Sequence, residues 1–202
     1  MRAVLGIAFV CLAATALGCN DNTAATVGAQ PVSTATSRLT RGTVTWPDAS
    51  KVDERAIAAL AAPRSDGSSA IGSRELSALI ARSPVPVLAP SRVVLASPSL
   101  VVEGEYFALS GRVDGATIAL QGTRAAHRYE GLEPVAGDRV LRATKGFVSV
   151  NEGIRTASWM ENGAAYSVDV ECADLVNDAR CASDDFLLSI VAQLTYVGGS
   201  GR

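Results

Sequence analysis

The stretch "IRTASWMENGAAYSVDVEC", residues 154–172, carries the reading of the fold. Asn162-Gly163 stands between two β-rich runs, and Asn-Gly tolerates the positive φ angles of a two-residue hairpin turn. A turn there sets Trp159 opposite Tyr166 and Ala157 opposite Val168. An aromatic cross-strand pair contributes about 0.2–1 kcal/mol over two alanines. Past the turn, Tyr166, Val168, Val170 and Cys172 alternate with Ser167, Asp169 and Glu171. A period of two with one apolar side describes an antiparallel strand with one face in water.

The same logic applies upstream. In "YFALSGRVDGATIALQG", residues 106–122, Asp114-Gly115 supplies the turn. The register then pairs Val113 with Ala116, Gly111 with Ile118 and Leu109 with Leu120 on one face, leaving Ser110, Arg112 and Thr117 on the other. "VPVLAP", residues 85–90, is apolar between prolines and reads as an edge or opening strand. Helices are expected at 53–62, with Ile57 and Leu60 on one side, and at 73–82, with Ser73 as cap and Leu76, Leu79 and Ile80 at helical spacing.

After the second hairpin, Ser183 is a good N-cap, and Asp184 and Asp185 suit the positive end of a helix dipole. Phe186, Leu187, Ile190, Val191 and Leu194 form the apolar stripe of a last helix that covers the sheet. Cys172 and Cys181 flank the loop between strand and helix, and a disulfide between them is expected to add about 2–3 kcal/mol. The fold class is therefore α+β: N-terminal helices, an antiparallel sheet of hairpins with five or more strands, and a C-terminal amphipathic helix packed on it. The Trp-x-Glu-x-Gly-x-x-Tyr hairpin (Trp159, Glu161, Gly163, Tyr166) followed by that helix resembles C-terminal units of bacterial envelope and anti-sigma-associated proteins. It is also similar to domains of the lipoprotein-carrier type. The resemblance implies a packing motif and no catalytic residues.

The chain's first residues address a different question. Arg2 precedes an uncharged run, Ala3 to Leu17, which has the form of a secretory signal and is shorter than the roughly 20 apolar residues of a membrane span. Ala14-Thr15-Ala16 would suit an ordinary signal peptidase. Thr15-Ala16-Leu17-Gly18-Cys19 resembles the lipobox of bacterial lipoproteins, with Ala16 where leucine is commonest. Cysteine parity favours the second: ordinary cleavage leaves Cys19, Cys172 and Cys181, an odd number, whereas acylation of Cys19 leaves a pair. The expectation is a signal at 1–18, a palmitate-class anchor at Cys19, a Thr/Ala/Ser-rich tether over 19–41 and a single domain over 42–202. Asn20 follows the anchor, which by the same resemblance favours the outer membrane where the envelope is Gram-negative, with the domain facing the periplasm.

Chemistry is sparse. His127 is the only histidine, so H-E-x-x-H is impossible, and no G-x-S-x-G, S-x-x-K or Walker A pattern occurs. Asp169, Glu171, Asp174, Asp178, Asp184 and Asp185 crowd a short span, but not at EF-hand spacing. A net charge of -2 without a basic stripe argues against nucleic acid as a partner. All but two of the 18 basic residues are arginine, a bias read as base composition. No catalytic, cofactor-binding or metal-binding residue is expected. The leading expectation is a noncatalytic envelope lipoprotein, with the membrane as one partner through its lipid and an envelope protein or cell-wall component as the other. A carrier or sensor of an apolar ligand is the alternative, and a hydrolase using His127 or a carboxylate comes third.

Overall fold

A computed structural model describes residues 43–62, 72–125, 135–174 and 177–199. The expected signal, Cys19, the whole of the expected tether and His127 lie outside these residues. The described chain is mixed α+β, with antiparallel sheets and short helices.

Seven strands make the main sheet: β2 (Ala96–Glu103), β3 (Tyr106–Val113), β4 (Ala116–Thr123), β5 (Arg139–Leu141), β6 (Thr144–Asn151), β7 (Ile154–Glu161) and β8 (Ala164–Cys172). Their spatial order is β2-β3-β4-β8-β7-β6-β5. Two meanders of three and four strands therefore meet along the β4–β8 seam. The Asn162-Gly163 turn pairs Trp159 with Tyr166 and Ala157 with Val168. The Asp114-Gly115 turn pairs Val113 with Ala116 and Leu109 with Leu120. All four turn residues have φ between +47° and +88°, which is why the turns use Asn, Asp and Gly. Both hairpin registers are those expected from the sequence.

A second sheet has two strands, β1 (Val87–Pro90) and β9 (Leu194–Gly198). Here the structure corrects the reading. Leu194 does not extend the helical stripe; the helix α4 (Asp185–Ala192) stops before Gln193, and Leu194 opens β9 opposite Pro90. The caps shift as well. Helix α2 (Ser73–Ala81) takes Gly72 as its N-cap, with Ser73 in the first turn. Ser183 ends a four-residue helix, α3 (Ala179–Ala182), so Asp184 becomes the N-cap of α4. Ser183 still supports that start, its Oγ accepting from the Asp185 N–H at 3.3 Å. Helix α1 (Glu54–Ala61) is capped by Asp53, whose carboxylate accepts from the N–H groups of Arg55 and Ala56, both at 3.0 Å.

The core lies between one face of the main sheet and the layer formed by helices, β1 and β9. Phe107, Leu109, Leu120, Val168 and Val170 from the sheet, and Leu76, Leu88, Leu187, Ile190 and Val197 from the covering layer, are all essentially buried. Trp159 stacks on Tyr166 at 5.6 Å, and the Tyr166 hydroxyl donates to the Pro86 carbonyl at 2.9 Å, joining the two layers. Burial pushes the Tyr166 phenol well above its ordinary pKa. Gly122 gives up its side chain to this cluster: a Cβ there would run into Phe107 and Tyr166. At the start of the described chain, the Thr45 N–H donates to Asn162 O at 2.8 Å, and the Trp46 ring lies against Gly199.

Candidate functional site

Because side chains alternate, the residues between the buried ones form a second face. From β2 to β6 it carries Ser99 and Val101; Tyr106, Ala108 and Ser110; Thr117, Ala119, Gln121 and Thr123; Ala165, Ser167 and Asp169; Thr156, Ser158 and Met160; and Phe147 and Ser149. None of these residues is buried, whereas their chain neighbours on the strands are mostly buried. The helices and the β1–β9 sheet pack on the opposite side, so this face is open.

Its composition is unusual for a solvated sheet. Ala, Ser and Thr dominate the centre, where long charged side chains would ordinarily stand. Charges sit at the margins: Glu103 on edge strand β2, Arg112 and Glu171 at one end of β3 and β8, and Lys145 on β6. Asp169 is the interior exception, and the Thr156 hydroxyl donates to it at 2.6 Å. Apolar residues flank the small ones, with Val101, Tyr106, Phe147 and Met160 each about two-fifths or more exposed.

Where the row Tyr106, Thr123, Ala165 adjoins the row Gln121, Ser167, Ser158, the face sinks into a groove of about 470 Å³. Tyr106, Gly122, Ala165 and Tyr166 are among the residues that line it. The Tyr106 hydroxyl points toward the Glu103 carboxylate, 3.5 Å away. The strand alternation sets Ser167 and Ser110 on a solvated side and marks neither as part of a site. The signal that was available is the shortness of the outward residues, since alanine and serine are poor choices for a strand unless something must approach closely.

Of the residues singled out from sequence, Cys172 and Cys181 come together at disulfide distance, with Cα atoms 6.2 Å apart. They tie the end of β8 to α3. The acidic cluster does not converge; among the described residues no three His, Cys, Asp or Glu side chains form a metal-binding group. The five aspartates of the cluster each have their own partner instead. Asp178 accepts from Arg180 Nη2 at 2.6 Å and Nε at 2.8 Å, and these hydrogen bonds hold its pKa below the ordinary carboxylate value. Arg180 also donates to the carbonyls of Val113 and Asp114, fastening α3 to the β3–β4 turn. Asp184 pairs with Arg155 at 2.6 Å, and Arg155 donates to Cys181 O at 2.7 Å. Asp185 receives the Ser183 hydroxyl, and Asp174 receives the Asn177 side chain. The Arg180 and Arg155 contacts staple the last helices to the sheet.

Compared with known proteins, the chain matches no family, no curated protein and no solved structure.

Proposed function

We propose that this chain is a noncatalytic envelope lipoprotein, held to a membrane by acyl chains on Cys19, that works by contact through the open face of its sheet. The observation that carries the contact reading is the seven-stranded face whose centre is mostly small, uncharged side chains, with an apolar flank. Such residues lose little rotamer entropy when covered and let a partner approach the backbone. Most strands are eight residues long. At about 4.8 Å between strands and 3.3 Å per residue, the face spans roughly 750 Å². That is close to one side of a standard interface, about 800 Å² per partner. In this reading the N-terminal helices and α4 back the sheet and leave its other face to the partner. Among the described residues their apolar side chains are buried against the sheet, which supports contact through the opposite face.

The test places a photo-crosslinking residue at Ala119, Ser149 or Ser167 on the open face, and at Ala58 or Ala78 on the helical side, in the protein's own cells. Adducts from the three face positions and none from the helical pair are expected. Equal yields from both sides, or none from the face, would overturn the contact reading. The intact mass of the extracted protein checks the anchor: the chain from Cys19 plus acyl groups is expected, and an unacylated chain beginning at Leu17 would refute it.

A further inference from the structure

The groove is chemically one-sided. Thr123, Ser158, Ser167 and Tyr106 bring hydroxyls, Gln121 brings an amide, and Gly122 and Ala165 bring apolar surface; no Lys, Arg, Asp or Glu lines it. Its volume of about 470 Å³ falls in the 300–1,000 Å³ range of sites for small organic ligands. It is partly open rather than enclosed, so a ligand longer than the groove can extend beyond it.

Three ligand classes can be weighed. An anion would meet no cation in the lining, and Glu103 beside Tyr106 would repel it. A hydrocarbon chain would strip water from Gln121, Ser158 and Ser167, whose side chains make no hydrogen bond to the protein among the described residues. Each polar group buried that way costs about 1–3 kcal/mol. A ligand with many hydroxyls and no charge meets neither objection. Gln121 offers a donor and an acceptor side by side, and the serine hydroxyls rotate to serve as either. The C–H face of a pyranose, weakly positive, suits the negative π face of Tyr106.

We infer that the groove lined by Tyr106, Gln121, Thr123, Ser158 and Ser167 binds an uncharged saccharide, as a short run of sugar units in a glycan crossing the open face. The inference rests on the contact reading of that face and adds the chemistry of the partner.

The experiment titrates the full chain with maltotriose, cellotriose and tri-N-acetylchitotriose as neutral probes and trigalacturonate as the anionic one, followed by backbone amide NMR shifts. At least one neutral probe is expected to bind with a Kd of roughly 0.1–1 mM and to shift Gln121, Ser158 and Ser167. Tyr106→Ala and Gln121→Ala, both at exposed positions, are each expected to weaken it about tenfold, the equivalent of ~1.4 kcal/mol. Val140→Ala, on the same face outside the groove, should leave it unchanged. No shift with any neutral probe at about 10 mM, equal binding by the two groove variants, or tighter binding of trigalacturonate would each overturn the inference. Crosslinks from the face without sugar binding would sink the saccharide and leave the contact reading standing; the absence of both would sink the two together.

Discussion

Replacing Arg142 with alanine removes one guanidinium that serves three elements. Arg142 occupies the β5–β6 turn with φ +48°, and its Nε and Nη2 donate to the two Glu161 oxygens at 2.6 and 3.0 Å. Nη1 donates to Leu194 O at 2.6 Å, just past the end of α4. Glu161 in turn accepts from the Trp159 indole N–H at 3.0 Å. The pair is shielded, with side chains 17% and 21% exposed, so the near-zero value of a fully exposed ion pair is too small. Charge-assisted hydrogen bonds run about 1.5–3 kcal/mol each, and water replaces part of what is lost here. A net loss of about 2–3 kcal/mol is expected for Arg142→Ala. Arg142→Lys should lose about half of that, because an ammonium cannot supply the two-pronged fork. Glu161→Gln, which keeps an acceptor for Trp159, should cost about 1 kcal/mol. Urea unfolding read by tryptophan fluorescence and far-ultraviolet circular dichroism measures all three. With an m-value near 2 kcal/mol/M, Arg142→Ala should lower the midpoint by roughly 1 M. A change under about 0.5 kcal/mol for Arg142→Ala, or a larger loss in Glu161→Gln, would refute the reasoning.

Other outcomes can be checked on the same instruments. Tyr166→Phe should cost about 1–2 kcal/mol, because the buried Pro86 carbonyl loses its donor. The same variant sets a pH test. With the folded-state pKa of Tyr166 raised, its contribution is complete below the unfolded value near 10 and is lost as pH rises toward the folded one. Wild-type stability should therefore fall more steeply than that of Tyr166→Phe above pH ~10, and parallel curves would contradict this. Reducing Cys172–Cys181, which span nine positions, should lower stability by about 2–3 kcal/mol, seen as a shifted urea midpoint with reductant. Gly122→Ala should cost at least about 1–3 kcal/mol by overpacking Phe107 and Tyr166, and a neutral result would mean that the cluster has slack.

Local chemistry made the two central hairpins legible. Asn162-Gly163 and Asp114-Gly115 carry their turn type in their own side chains, so register could be counted outward from them. The other hairpins turn at Gly104-Glu105, Arg142-Ala143 and Glu152-Gly153, and there Arg142, Ala143 and Glu152, less characteristic turn residues, take positive φ. Strand β9 was hidden for a different reason. Leu194 falls four residues after Ile190, where a helical stripe would place it, and only its pairing with distant β1 makes it a strand. The candidate site was the least legible part. Tyr106, Gln121, Ser158 and Ser167 come from four strands and share a groove only because of the long-range β4–β8 pairing. Turn chemistry says nothing about that seam.

The pairing of β1 with β9 also sets a timetable. Val87 meets Gly198 and Pro90 meets Leu194, so the second sheet joins segments about a hundred residues apart. Until residues 195–197 have been added, Ala89 and Leu88 lack their backbone partners, and Val197 cannot close over the core. The β4–β8 seam makes a similar but shorter demand, since its partner ends at Cys172. Pairings of such separation are slow because a long loop must close before any contact repays it. A chain emerging from its N-terminus can form hairpins one after another, yet its two layers lock only when the last strand arrives.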